Sequence, residues 1–211
     1  MFGYIRKQQN ASNNNDLCKT IPQLVAFIIL AFYFDIVEEE FDPDLCGSNI
    51  LLSNNNKTIR ISGHNIHTAY GKNVISSTSI GTFIWKIKLL EPKAEMYIGI
   101  VNAKNDQNDY EKGTTSFCIN QNKGWYAYSA ENGYFICWKD SHREYNYPIF
   151  YGKYDILTIK LQLTSNRGKL SLRINNEKEF GPYDDILRED GLKYRFAITL
   201  CGYNDSVELV Q

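Results

Sequence analysis

The residues able to do chemistry are few and poorly grouped. His64 and His67 form a His-x-x-His pair, a spacing that invites a metal ion. On an extended chain, residues three apart point to opposite faces, and no neighbouring cysteine completes a tetrahedral set. The pair therefore reads as part of a polar loop, and no metal or other cofactor is expected. The five cysteines, at 18, 46, 118, 137 and 201, are scattered, odd in number and without any C-x-x-C. They read as free thiols in a reducing compartment, which makes the expected location cytoplasmic. Ser, His and Asp are present, yet no G-x-S-x-G elbow offers a nucleophile. No G-x-x-x-x-G-K-[ST] cradles a phosphate. Paired Asp and Glu on a β-sandwich would suit glycoside hydrolysis, but a sequence does not give the carboxylate separation that this chemistry needs. A carbohydrate-binding or glycoside-hydrolysing sandwich is thus the alternative, and a non-catalytic protein the first reading. The sequons at 10–12, 56–58 and 204–206 are what an Asn-rich chain produces by chance.

Aromatic residues in polar surroundings remain. Tyr70, Tyr110, Tyr203 and the Tyr145-Asn146-Tyr147 run lie among turn-forming residues. Tyrosine suits recognition because it offers a large face, a polar tip and few rotors; the competing reading is that each packs beneath its own loop.

The chain that must position these groups has 211 residues, 23 Lys plus Arg against 24 Asp plus Glu, and a formal charge of −1. That balance excludes a generic electrostatic grip on nucleic acid or anionic lipid, though not a local patch. The length suits one domain with a short extension. Residues 1–19 are polar and Asn-rich and read as a flexible tail. Thr20, Pro22 and Gln23 carry helix-start signals, so a helix is expected over 20–38. Its Leu24 to Phe34 run is apolar all round but too short to span a membrane. Packing on the sheet domain is the first expectation for it, an oligomer or partner contact the second, and a membrane the last. The acids Glu38 to Glu40 oppose a helix dipole and should end the helix near Val37.

From Phe41 onward short strands take over. Leu157, Ile159, Leu161 and Leu163 alternate with polar residues, as do Leu170, Leu172 and Ile174 after the Ser165 to Gly168 turn. A period of two with such a link predicts an antiparallel hairpin with one wet face. Asn175-Asn176 should make the next turn, since Asn tolerates positive φ. Phe83, Trp85, Ile87 and Leu89 form another inward set, with Trp85 as core anchor, and Tyr194, Phe196, Ile198 and Leu200 a third. Residues 62–79 read as polar and irregular, and Phe180 to Tyr183 as breakers. About ten short strands without interleaved helices predict an all-β sandwich.

Several of these segments, in order over 41–211, resemble the PRY-SPRY family. Phe41-Asp42-Pro43-Asp44, Ile50-Leu51-Leu52-Ser53 and Lys57-Thr58-Ile59-Arg60 resemble its "L-D-P-D … L-x-L-S-x-D-x-K-x-V-R" opening. Phe83 to Ile87, Tyr97 to Val101 and Gly124 to Tyr128 are similar to its "Y-W-E-V", "y-v-G-v-a" and "s-W-g-l" strands. Tyr154-Asp155-Ile156, Leu161 and Gly168 to Asn176 resemble "y-x-G-D-x-I-x-v-x-L … G-x-L-S-F-x-x-N-G". The resemblance implies a bent antiparallel β-sandwich, a concanavalin-like jelly roll, that binds a peptide or loop of a protein partner without catalysis, as substrate receptor or scaffold. It implies a binding surface built from His64, His67, Tyr70, Tyr110, Cys201, Gly202 and Tyr203. The chain departs from the pattern at Leu161-Gln162-Leu163-Thr164 for "L-D-Y-E", at Leu172 for Phe, at Lys193-Tyr194-Arg195 for "L-Y-P", and at Cys201 for an aromatic.

Overall fold

A computed structural model describes residues 34–35, 38–63, 66–103, 126–131, 134–139, 142–148, 151–177 and 179–211. The chain divides into residues 1–34 and a compact unit of residues 35–211. The tail over 1–19 and most of the helix expected over 20–38 fall outside the described residues. At Phe34–Asp35 (β1) the backbone is strand, not helix; an apolar, aromatic-rich run satisfies either element, and period alone does not separate them.

Two antiparallel sheets make the sandwich. One runs in the order β12-β11-β10-β5-β14-β3-β2. Its strands are β2 (Ile50–Ser53), β3 (Thr58–Ile61), β5 (Gly81–Glu91), β10 (Ile156–Leu163), β11 (Gly168–Ile174), β12 (Phe180–Ile186) and β14 (Ser206–Val210). The other runs β4-β13-β6-β7-β8-β9, from β4 (His67–Ser76), β6 (Met96–Asn102), β7 (Tyr126–Glu131), β8 (Tyr134–Lys139), β9 (His142–Pro148) and β13 (Lys193–Leu200).

The alternation decides the faces as physical chemistry requires. Leu157 pairs with Ile174, Ile159 with Leu172 and Leu161 with Leu170, and all six are buried. On β5 the residues Phe83, Trp85, Ile87 and Leu89 face the core and the residues between them do not. Trp85 stacks on Phe196 of the opposite sheet, 5.6 Å between ring centroids. Asn175 takes φ 49, and Asn54, Asn55 and Asn56 take φ 52, 52 and 60 in the β2–β3 turn, where other L-residues would be strained.

Three expectations are corrected. Residues 67–76 are a full strand rather than irregular chain, because β4 pairs along β13 and is buried over its first five residues. The Tyr145-Asn146-Tyr147 run lies within β9, paired to β8. Phe180 to Tyr183 belong to β12, an edge strand where Gly181-Pro182 is tolerated because the register shifts.

The acids Glu38 to Glu40 form part of a strap along the outer edge of β4. Lys72 N donates to Glu40 O, Asp42 N to Tyr70 O, and Gly47 N to Thr68 O, each at 2.8–3.0 Å. Phe41 is fully buried and bridges Gly71. Satisfying the outer row of an edge strand in this way blocks further pairing there.

Candidate functional site

Among the described residues, loops converge at the C-terminal end of β5. Residues 92–95 lead into β6, residues 151–155 lead into β10, and residues 201–205 join β13 to β14. Backbone pairing holds them together: Ser206 pairs with Glu91, Tyr154 N donates to Leu89 O, and Leu89 N to Asp155 O.

Asp205 organises the 201–205 turn. It is 2% exposed, and its carboxylate accepts from Gly202 N at 2.6 Å and from Lys93 N at 2.7 Å. Asp205 N donates in return to Gly202 O at 2.9 Å. A Cβ built on Gly202 would stand 2.5 Å from Asp205 Oδ2, so a side chain there disrupts the turn. An arginine at 202 would act in the same way. Asn204, at φ 66, supplies the left-handed step. The result is a rigid loop with Tyr203 49% exposed at its tip. Cys201 beside it is half-buried, and burial, with Glu95 and Asp205 adding to it, pushes its thiol up to about 12. Burial likewise pushes the Cys46 thiol up to about 12. Neither thiol supplies a thiolate nucleophile near neutral pH.

Tyr154 is the feature that sequence reasoning missed. It is 60% exposed and takes φ 73, a region that costs a bulky L-residue on the order of 1–3 kcal/mol. Lys88 and Lys153 lie 5.5 and 5.1 Å from its ring centroid, within cation–π range. Lys153 also pairs with Glu91; that contact holds the Glu91 carboxyl below and the Lys153 ammonium above their ordinary values. The signal was present in the sequence, since Tyr154 stands at the Gly of the "G-D" signature. Nearby Tyr151 is half-buried, and burial, then Asp205, Glu95 and Cys201, raises its phenol.

The residues expected to bind do not all meet here. Cys201, Gly202 and Tyr203 share the turn. His67 is fully buried on β4, its Nε2 3.1 Å from Asn49 Nδ2, and Tyr70 is 1% exposed on the same strand. Both are interior residues rather than loop residues, because β4 is a strand. His64 and Tyr110 lie outside the described residues. Among the described residues no group of His, Cys, Asp and Glu is arranged to hold a metal ion. No helix there is long and apolar enough to cross a membrane.

No protein-family model and no curated protein sequence matches the chain. Solved structures do match in fold. The TRIM65 PSpry domain superposes with a TM-score of 0.62 at 10% identity, covering 97% of this chain and 100% of that one. The SPRY domain of human HERC1 gives 0.57 at 15% identity, covering 81% and 97%. Stonustoxin gives 0.55 at 13% identity, covering 86% of this chain but 28% of that one. The sandwich therefore has the SPRY fold.

Proposed function

We propose, from the premise of a SPRY fold, that this chain is a non-catalytic module that recognises a peptide or loop of a protein partner, as a substrate receptor or scaffold in the cytoplasm. The observation that carries the reading is the pair Tyr203 and Tyr154. Both are exposed aromatics on loops fixed by backbone hydrogen bonds at one end of the sandwich. Rigid aromatic anchors lose little entropy on binding, which is the energetic requirement of a recognition surface. The half-buried Cys201 extends the contact, and buried Gly202, with its N–H and C=O both bonded to Asp205, fixes the turn that carries it. His64 and Tyr110 remain candidates for the same surface. Residues Leu24 to Phe34 are the candidate for a second contact.

The test is selection from a displayed random-peptide library on the whole chain, beside a Tyr203→Ala variant of matched melting temperature. Enriched peptides should bind wild type at least ~10-fold tighter than the variant, as expected for loss of an aromatic anchor. Peptides that bind both proteins equally would remove the loop cluster from the binding surface. No peptide enrichment together with saccharide binding on a glycan array would favour the carbohydrate-binding alternative.

A further inference from the structure

The outward face of β5, β10 and β11 carries a second feature, away from the loop cluster. A groove of about 200 Å³ opens on this face. The strand register decides which side chains line it. Thr158 pairs with Lys86 on one side and Arg173 on the other, and Lys160 pairs with Ser171 in the next row. Neighbouring strands lie ~4.8 Å apart, so Lys86 and Arg173 flank the Thr158 hydroxyl with their Cα atoms roughly 10 Å apart. Long side chains from both reach a group held between them.

Charge on this groove is not balanced. Glu179 is its acid; it accepts from Ser171 Oγ and pairs with Lys160 Nζ at 3.0 Å. Those contacts hold the Glu179 carboxyl below its ordinary value despite the opposing effect of burial. Lys86 and Arg173 make no ion pair among the described residues. The lining therefore keeps two positive charges in excess, within a chain whose formal charge is −1. Thr158 is nearly buried between them, and its side-chain hydroxyl makes no hydrogen bond among the described residues.

We propose that this groove is a docking site for a phosphorylated serine or threonine side chain of a protein partner. A phosphoryl group carries about −1.5 to −2 charge and three acceptor oxygens at neutral pH. Lys86, Arg173 and the Thr158 hydroxyl supply two cations and one further donor to meet it. A carboxylate has one charge and two oxygens, which a single guanidinium satisfies, so Asp or Glu leaves one cation unused. A nucleic-acid backbone repeats its charge along a track, and the groove is a single opening bordered by an acid. The site shares no residue with the loop cluster, so neither reading depends on the other.

The probe is a fluorescein-labelled peptide of Gly, Ala and Glu with one central phosphoserine, compared with its serine form by anisotropy on the whole chain. The phosphorylated form should bind roughly tenfold tighter, and added salt should weaken it. A Lys86→Gln/Arg173→Gln double variant should lose that preference, while Tyr203→Ala keeps it. Should the double variant melt early, Arg173→Gln alone, at an exposed position, should lose roughly threefold. Equal binding of the two peptides overturns the proposal, as does a phosphate preference that survives Lys86→Gln/Arg173→Gln. Displacement of the phosphopeptide by a single-stranded oligonucleotide or by phosphatidylserine vesicles, either one bound more tightly, overturns it in favour of that ligand.

Discussion

Glu39 and Asp205 are both buried carboxylates, and each presses on a glycine that has no room for a side chain. A Cβ on Gly71 would meet Glu39 Cδ at 2.8 Å, and one on Gly202 would meet Asp205 Oδ2 at 2.5 Å. The partners differ. Glu39 reaches across the fold, accepting from Trp85 Nε1 at 2.9 Å and from Asn73 N at 3.0 Å. Asp205 reaches three residues back to Gly202 N and across to Lys93 N. The first carboxylate shuts an edge by fastening the strap to β4. The second holds a loop rigid while its tip, Tyr203, stays in solvent. The same device serves closure in one region and presentation in the other: only Asp205 also closes a turn of its own, on Gly202 three residues away.

The largest expected effect tests the strap's anchor. Trp85→Ala removes the stack on Phe196 and the donor to Glu39, and should cost ~3–5 kcal/mol in urea unfolding. Trp85→Phe, which keeps an aromatic ring but not the donor, should cost less. Near-identical midpoints for wild type and Trp85→Ala would mean that Glu39 is held by something other than Trp85.

Gly71→Ala and Gly202→Ala come next, each at ~1–3 kcal/mol. Hydrogen exchange separates them. Gly71→Ala should speed exchange at Asp42 and Lys72, whose amides bond across the strap, and Gly202→Ala should leave those two protected. Loss of protection in both variants would mean that the two regions are one cooperative unit.

The third test is pH. Burial raises the Glu39 carboxyl above 4.5, more than its hydrogen bonds to Asn73 and Trp85 lower it. Below 4.5 folded and unfolded chains both carry the neutral acid. As pH rises from 4.5 through the raised folded value, the unfolded chain ionises first, so stability falls across that window. Glu39→Gln should abolish this decline, so its unfolding midpoint should gain on wild type as pH rises from ~4 to ~8. Parallel pH profiles for the two proteins would contradict the burial argument.

The smallest effect is at Tyr154. Glycine accepts φ 73 without strain, so Tyr154→Gly should raise stability by ~1 kcal/mol while weakening partner binding. Lower stability instead would show that the two lysine contacts outweigh the strained backbone.

How much of this was legible varies with the kind of interaction. The hairpin of β10 and β11, the inward set of β5 and the Asn175 turn could be read because each depends on neighbours in sequence: a period of two, or a residue that tolerates positive φ. β4 was missed because His67, Thr68 and Gly71 are buried by pairing with β13 and by the strap, neither of which leaves a local pattern. The role of Glu39 was hidden for the same reason, since its donor is 46 residues away. Of the expected binding residues, Cys201, Gly202 and Tyr203 fall together because they are consecutive. His67 and Tyr70 were misplaced along with their strand.

The position of β14 has a consequence for how the domain comes into being. It is the last strand in chain order, yet it lies between β5 and β3. During synthesis the β2–β3 hairpin emerges early and must wait for β14 before it joins the sheet. At ~5–20 residues per second that wait is on the order of ten seconds. Until then β5 and β3 each present an unpaired edge, and that interval is when a chaperone would have most to protect.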